Sequence, residues 1–157
     1  NTPNLDRLAR EGRRFTHAYA PSSVCSPSRY SLLTGRYYWR TSIKDGEVLM
    51  PTAPLHIEPA RLTLASLCKA HGYRTGAFGK WHLGWDWPIT PEQKPLLVGL
   101  GGRPGRSKDP LVTVPSAAHR AAWGAIFRQP IAGGPLTRGF HHYFGTDVPN
   151  WPPYSTW

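Results

Sequence analysis

Residues 62–84, LTLASLCKAHGYRTGAFGKWHLG, constrain the fold more than any other stretch. Leu64, Leu67 and Cys68 recur at helical spacing within Leu62 to His71, and Gly72 ends the run. Tyr73 to Phe78 then reads as a strand that enters the polar loop Gly79-Lys80-Trp81-His82-Leu83-Gly84. Helix, glycine stop, strand and polar loop make up the repeating unit of an α/β fold. In such folds chemistry collects at the carboxyl ends of strands, where Lys80 and His82 stand.

The flanks add shorter elements. Thr2-Pro3 is a hydroxyl cap followed by Pro at the first helical position, and Leu5, Leu8 and Ala9 fall on one face, so residues 3–11 read as an amphipathic helix ended by Gly12. Phe15 to Tyr19 reads as a brief strand ended by Pro21. Ser26-Pro27 again reads as cap plus first helical residue, with Tyr30 and Leu33 three apart and Gly35 as a left-handed stop. Residues 36–60 have no sustained period and read as a surface excursion, and 86–118 as a Pro/Gly-rich connection. Ala117 to Phe127 reads as a helix with Trp123 and Phe127 inward. The aromatic tail from Gly134 has at most a short strand at His142–Gly145.

Length and composition bound the function. A chain of 157 residues is the size of one domain with its own core, and 17 Pro with 16 Gly make it loop-rich without making it disordered. No apolar run is long enough to cross a bilayer, no targeting segment is visible, and two cysteines do not make a disulfide scaffold, although one bridge is possible in principle. The net charge of +10 comes from 14 Arg and 5 Lys against nine acids. Arginine's rigid fork of donors suits oxyanions, so nucleic acid, an acidic polysaccharide or a small anionic substrate all fit. Arg7, Arg10, Arg13 and Arg14 read as a solvated helix face and its exit, with an anionic-polymer surface as the rival.

Cys25 stands just outside the expected helix N-terminus with Arg29 one turn on, so it faces the positive end of a helix dipole and a cation. That makes it a reactive, anion-site cysteine. The plainer reading, a small buried hydrophobe, stays open for Cys25 and is the one Cys68 receives. Taken alone, Lys80 reads as a solvated surface lysine and His82 as a packed loop imidazole. His141-His142 does not read as a metal pair, because adjacent side chains of an extended segment point apart. Trp81, Trp85 and Trp87 could wall a sugar or aryl site, although loop aromatics are more often packed.

Ser23-Val24-Cys25-Ser26-Pro27-Ser28-Arg29 with Leu32-Leu33-Thr34-Gly35 resembles the first signature of the type I, formylglycine-dependent sulfatases, whose core is Cys-x-Pro-x-Arg. Gly72-Tyr73-Arg74-Thr75 with Gly79 to Gly84 resembles the second signature, at a separation of 55 residues from Cys25 to Lys80. Asn1 to Leu8 looks like the helix before the first signature, and Gly139-Phe140 through Gly145 like a later Gly-Phe segment. The resemblance is weakest between about 86 and 133.

The resemblance implies an α/β, alkaline-phosphatase-like sulfatase fold, a mixed sheet flanked by helices. Residues 1–157 would be a partial, N-terminal-side portion of an arylsulfatase-like catalytic domain that hydrolyses an aryl or carbohydrate sulfate to alcohol and inorganic sulfate. Cys25 would be oxidised to Cα-formylglycine by a maturation enzyme and would act as its hydrate, one hydroxyl attacking sulfur and the other expelling sulfate. Arg29 would hold the hydrate, and Lys80 would contact hydrate and sulfate oxygen. His82, on the same side as Lys80 if the chain is extended, would bond the hydrate and move a proton. Asp147 and Asn150 fall where the family places residues near the substrate. The resemblance further implies calcium, or magnesium, with Cys25 as the one ligand carried over. It implies a periplasmic or secreted protein, no membrane span and no nucleic acid partner.

The chain departs from the family pattern in having no adjacent aspartates and no Asp-Asn step, the expected carboxylate ligands of the metal. Absence at both ends with intact motifs between reads as a truncated record, and the isolated stretch is expected to have little activity. Rival readings are a phosphodiester or phosphonate monoester hydrolase sharing the formylglycine motif, a basic module binding an anionic polymer, and a thiol enzyme using unmodified Cys25.

Overall fold

The computed structural model describes residues 1–44, 47–97 and 116–147. Among them, helices α1 (Pro3–Glu11), α2 (Cys25–Thr34) and α3 (Leu64–Ala70) precede strand β1 (Gly76–Lys80). Helices α4 (Lys94–Leu97) and α5 (Ala117–Ile126) then lead to strand β2 (His142–Thr146), and single 3-10 turns form at Tyr38–Arg40 and Pro135–Arg138. The two strands pair in parallel, with Gly76 opposite His142 and Lys80 opposite Thr146. A parallel pair needs a crossover, which here includes α4 and α5.

α1 forms over the residues its pattern predicts, with Pro3 opening the helix, but the Thr2 hydroxyl makes no cap bond and donates instead to Asp6 Oδ1 at 3.2 Å. None of its residues is buried, and Leu5 and Leu8 are two-thirds exposed. The strand expected at Phe15–Tyr19 does not form: a strand needs a pairing partner, and this segment has none among the described residues. Arg7, Arg10, Arg13 and Arg14 are exposed, as a solvated face requires, and Arg7 reaches only Glu11 at 3.9 Å.

α2 starts two residues earlier than the Ser26-Pro27 reading, so Cys25 is its first residue and Val24 its cap. The Ser26 hydroxyl does not cap the helix. It is fully buried and accepts the Leu49 N–H at 3.0 Å. Pro27 is accommodated because the first-turn amides lack helical acceptors in any case. At the other end Gly35 takes the left-handed conformation, φ 64°, and returns its N–H to Ser31. The Glu58 carboxylate then ties the helix to the following segment, accepting from Tyr30 Oη at 2.9 Å and Arg36 Nη1 at 2.8 Å.

Residues 36–60 are not a surface excursion throughout. Ile57 is fully buried in the main core with Tyr30, Trp81, Leu83 and Trp85, and Ile43 is also buried. An irregular segment contributes single buried side chains with no period, so no pattern reveals them. A second cluster holds Leu97, Ala122, Trp123 and Ile126, with Trp87 packed against both. Trp123 is thus inward as expected, while Phe127 packs half-buried at the margin.

α3 is capped by Thr63, whose hydroxyl accepts the Ser66 N–H and whose own N–H returns to Ser66 Oγ. β1 lies two to three residues later than the Tyr73–Phe78 reading. The reason is its partner: Thr75 O accepts the N–H groups of His141 and His142, so the ladder begins at Gly76 and runs on to Lys80. The pair requires glycine where it closes. A Cβ on Gly145 would collide with the Gly79 carbonyl, and Gly79 itself sits at φ 93°.

Candidate active site

The first signature reaches the site through α2 and the second through β1. The register places Lys80 at the carboxyl end of its strand, and the Trp81 N–H continues the ladder to Thr146 O at 2.8 Å. From there Lys80 Nζ lies 3.1 Å from Cys25 Sγ. Arg29, one turn along α2, donates from Nη1 to the Lys80 carbonyl at 2.6 Å. A thiol, an ammonium and a guanidinium thus meet where a helix N-terminus faces the end of a strand. Ser28 Oγ and the Val24 N–H brace the turn before Cys25 through the Ser22 carbonyl and hydroxyl.

His82 is reached differently from the extended geometry expected of it. The chain turns left-handed at His82, φ 53°, the one positive φ on a non-glycine residue among those described. Such a backbone costs about 1–2 kcal/mol on an L-residue and persists only where its surroundings hold it. Here the His82 N–H donates to Asp147 Oδ1 at 3.1 Å, and ring Nε2 lies 2.8 Å from the Leu49 carbonyl. A carbonyl cannot donate, so Nε2 carries the proton and Nδ1 is the basic nitrogen of the neutral ring. Burial, with Lys80 and Arg29 adding repulsion, lowers the imidazole to about 4, so the ring is neutral near pH 7.

Asp147, just past β2, is buried at 5% exposure. Burial raises its carboxyl to about 7 against the opposing pull of the Trp85 and His82 hydrogen bonds and the Lys80 charge. Burial likewise raises the Tyr143 phenol, whose hydroxyl donates toward the Gly79 and Thr146 carbonyls. Asn150 lies outside the described residues. Sequence reasoning missed the Leu49 peptide, which joins His82 to Ser26, because a backbone group in an aperiodic stretch leaves no signal.

The tryptophans do not wall a site. Trp81 and Trp85 are buried, and Trp81 Nε1 donates to Gly84 O while Trp87 Nε1 donates to Pro51 O. Cys25 and Cys68 are both free and half-buried. His141 bonds Thr75 and His142 bonds Arg74 at the far end of the strands. Among the described residues no three His, Cys, Asp or Glu side chains converge as a metal site. Among the described residues no set of carboxylates converges with Cys25 to suit a hard divalent cation.

A family model described as Sulfatase matches residues 1–145, and the chain belongs to the sulfatase family. An N-acetylgalactosamine-6-O-sulfatase of Bacteroides thetaiotaomicron is 48% identical over 87 residues, 54% of this chain and 16% of that protein. Human arylsulfatase A is 49% identical over 83 residues, 53% of this chain and 16% of that protein. The match therefore spans 16% of the length of these two curated relatives. A solved sulfatase structure described under glycosaminoglycan metabolism by Bacteroides thetaiotaomicron superposes with a TM-score of 0.63 at 31% identity, over 99% of this chain and 25% of that one. A solved chain called Ps i-CgsB gives 0.53 at 26% identity, over 93% of this chain and 22% of that one. The architecture is the alkaline-phosphatase-like α/β fold of the sulfatases, represented in the described residues by one parallel strand pair and its helices.

Proposed function

We propose that these residues supply the nucleophile and part of the anion cradle of a sulfuric ester hydrolase, acting on an aryl or carbohydrate sulfate. The observation that carries the reading is Lys80 Nζ at 3.1 Å from Cys25 Sγ, with Arg29 braced on the Lys80 carbonyl. A cysteine that served only as core would not be met by an ammonium. Residue 25, converted to formylglycine by a maturation enzyme and hydrated, would supply the hydroxyl that displaces the alcohol from sulfur and later releases sulfate.

The chain's own groups do the rest. Lys80 places a positive charge where sulfate oxygens gather and stabilises the charge that grows as the ester bond breaks. Arg29 keeps Lys80 in place through its carbonyl and adds to the positive field. His82 is held neutral with its Nε2–H on Leu49, which leaves Nδ1 as a hydrogen-bond acceptor; lowered to about 4, the ring is a weak base near neutrality and suits bonding the hydrate better than carrying its proton. Calcium or magnesium is part of the family's chemistry, but the described residues do not make its carboxylate site, and no step here runs through it. Among the described residues no helix is long and apolar enough to cross a membrane. A periplasmic or secreted location belongs to the same proposal.

The test is to express the protein at its full natural length with a formylglycine-generating enzyme. Sulfate release from an aryl sulfate is expected, Cys25→Ala should abolish it, and mass spectrometry should find the aldehyde at residue 25. If residue 25 is converted and the metal-loaded protein turns over no sulfate ester, the reading is wrong. Preferential turnover of a phosphonate ester would move it to the neighbouring hydrolase class.

A further inference from the structure

We propose that Asp147 is a positioning residue of this site: by accepting the His82 backbone N–H, its carboxyl fixes the left-handed turn that carries the imidazole to the Leu49 carbonyl.

The strand register makes the contact possible. Lys80 pairs with Thr146 and the Trp81 N–H bonds Thr146 O, so the residue after β2 lies beside the residue after Trp81. Asp147 Oδ1 then stands 3.1 Å from the His82 nitrogen. A carboxyl at 5% exposure is costly, and this one is directed at the single described non-glycine residue with positive φ. From His82 the connection continues. Nε2 bonds Leu49 O at 2.8 Å, and the Leu49 N–H bonds Ser26 Oγ at 3.0 Å, next to Cys25. Four segments distant in sequence, the end of β2, the loop after β1, residues 47–50 and the start of α2, are thus joined through one left-handed residue. Without the acceptor at 147, the turn at 82 loses the bond that compensates its strain, and the ring loses its fixed tautomer and direction.

Acceptor geometry, and not charge, is what the contact uses. Asn offers the same oxygen at the same reach. Burial raises the Asp147 carboxyl to about 7, so the group need not be fully ionised near neutrality for its oxygen to accept.

The kinetic part of this inference rests on the sulfatase reading; the conformational part does not. The experiment compares wild type, Asp147→Ala and Asp147→Asn in the matured protein at its full natural length, by kcat and KM on an aryl sulfate and by crystal structure. In Asp147→Ala, kcat is expected to fall about tenfold to a hundredfold with KM nearly unchanged, as for groups that orient a reacting residue. His82 should leave its left-handed conformation and the Nε2 to Leu49 bond should break. Asp147→Asn should recover most of kcat and keep the turn. The inference is overturned if Asp147→Ala keeps the His82 turn or its kcat, or if Asp147→Asn is as impaired as Asp147→Ala. A wild type without sulfate-ester turnover would defeat the sulfatase reading, and the crystal structures would still decide the positioning role. If Asp147→Ala does not fold, Asp147→Ser, too short to reach the His82 N–H, replaces it in both comparisons.

Discussion

The first twenty residues carry a plain helix pattern and the Cys25–Lys80–His82 region carries the motifs, and the two differ sharply as structure. α1 forms over its expected residues with nothing buried, and Phe15 and Tyr19 stand exposed beyond it. The site region, by contrast, is held by bonds between residues far apart in the chain: Arg29 to Lys80, Cys25 to Lys80, His82 to Asp147 and Leu49 to Ser26. Apolar spacing and a proline start mark a nine-residue helix, but a helix that short with nothing buried is marginal in water by itself. Only long-range hydrogen bonds and a shared core fix side chains closely enough for chemistry.

The largest effect that would sharpen this contrast is on catalysis. Lys80→Ala should lower kcat for an aryl sulfate by about 10²–10³-fold in the matured protein, the usual cost of removing one donor aimed at developing charge. A change below about threefold would remove Lys80 from the cradle.

Next comes the pH dependence of stability, where two buried groups of the site oppose each other. His82 in the folded protein titrates at about 4, below its ordinary 6.5. Its contribution is present above 6.5 and lost as pH falls toward 4. Asp147 at about 7 lies above its ordinary 3.8, so its contribution is full below 3.8 and lost as pH rises through 7. Each is worth at most about 3–4 kcal/mol. Asp147→Asn should therefore make stability rise more steeply from pH 4 to 6.5 than in wild type. His82→Asn, which tolerates the left-handed backbone, should make it fall across the same range. Urea unfolding at several pH values checks this, and parallel profiles in all three proteins would break the account.

Gly145→Ala tests the closure of the strand pair. Its Cβ meets the Gly79 backbone, so the variant should lose about 1–3 kcal/mol in urea unfolding, and sulfate release should fall with it as Lys80 shifts. The smallest effect belongs to the other region. Leu8→Ala, on a two-thirds exposed side chain, should change unfolding free energy by less than about 0.5 kcal/mol. A larger loss would mean that α1 is covered in the folded protein.

Legibility followed the reach of each interaction. Helices α1, α3 and α5 were readable because apolar spacing acts over a few residues, although the capping boxes of Thr63 with Ser66 and Ser116 with His119 went unread. β1 was displaced because its limits depend on Thr75 bonding His141 and His142, more than 60 residues away. Ile57 was missed because one buried residue has no period. Cys25, Arg29, Lys80 and His82 were singled out by motif, whereas the turn at His82 and the use made of Asp147 carry no local signal.

The sequence by itself determined the family, the α/β class and the residues that bear charge or nucleophilic character, since these are properties of side chains and short spacings. The tertiary structure alone decided that His82 leaves the strand direction and that Asp147 accepts its N–H, and it gives the Lys80–Cys25 contact implied by resemblance its geometry. Those outcomes depend on the parallel register of β1 and β2 and on which polar groups lose their water when the core closes, and neither is written in any one segment.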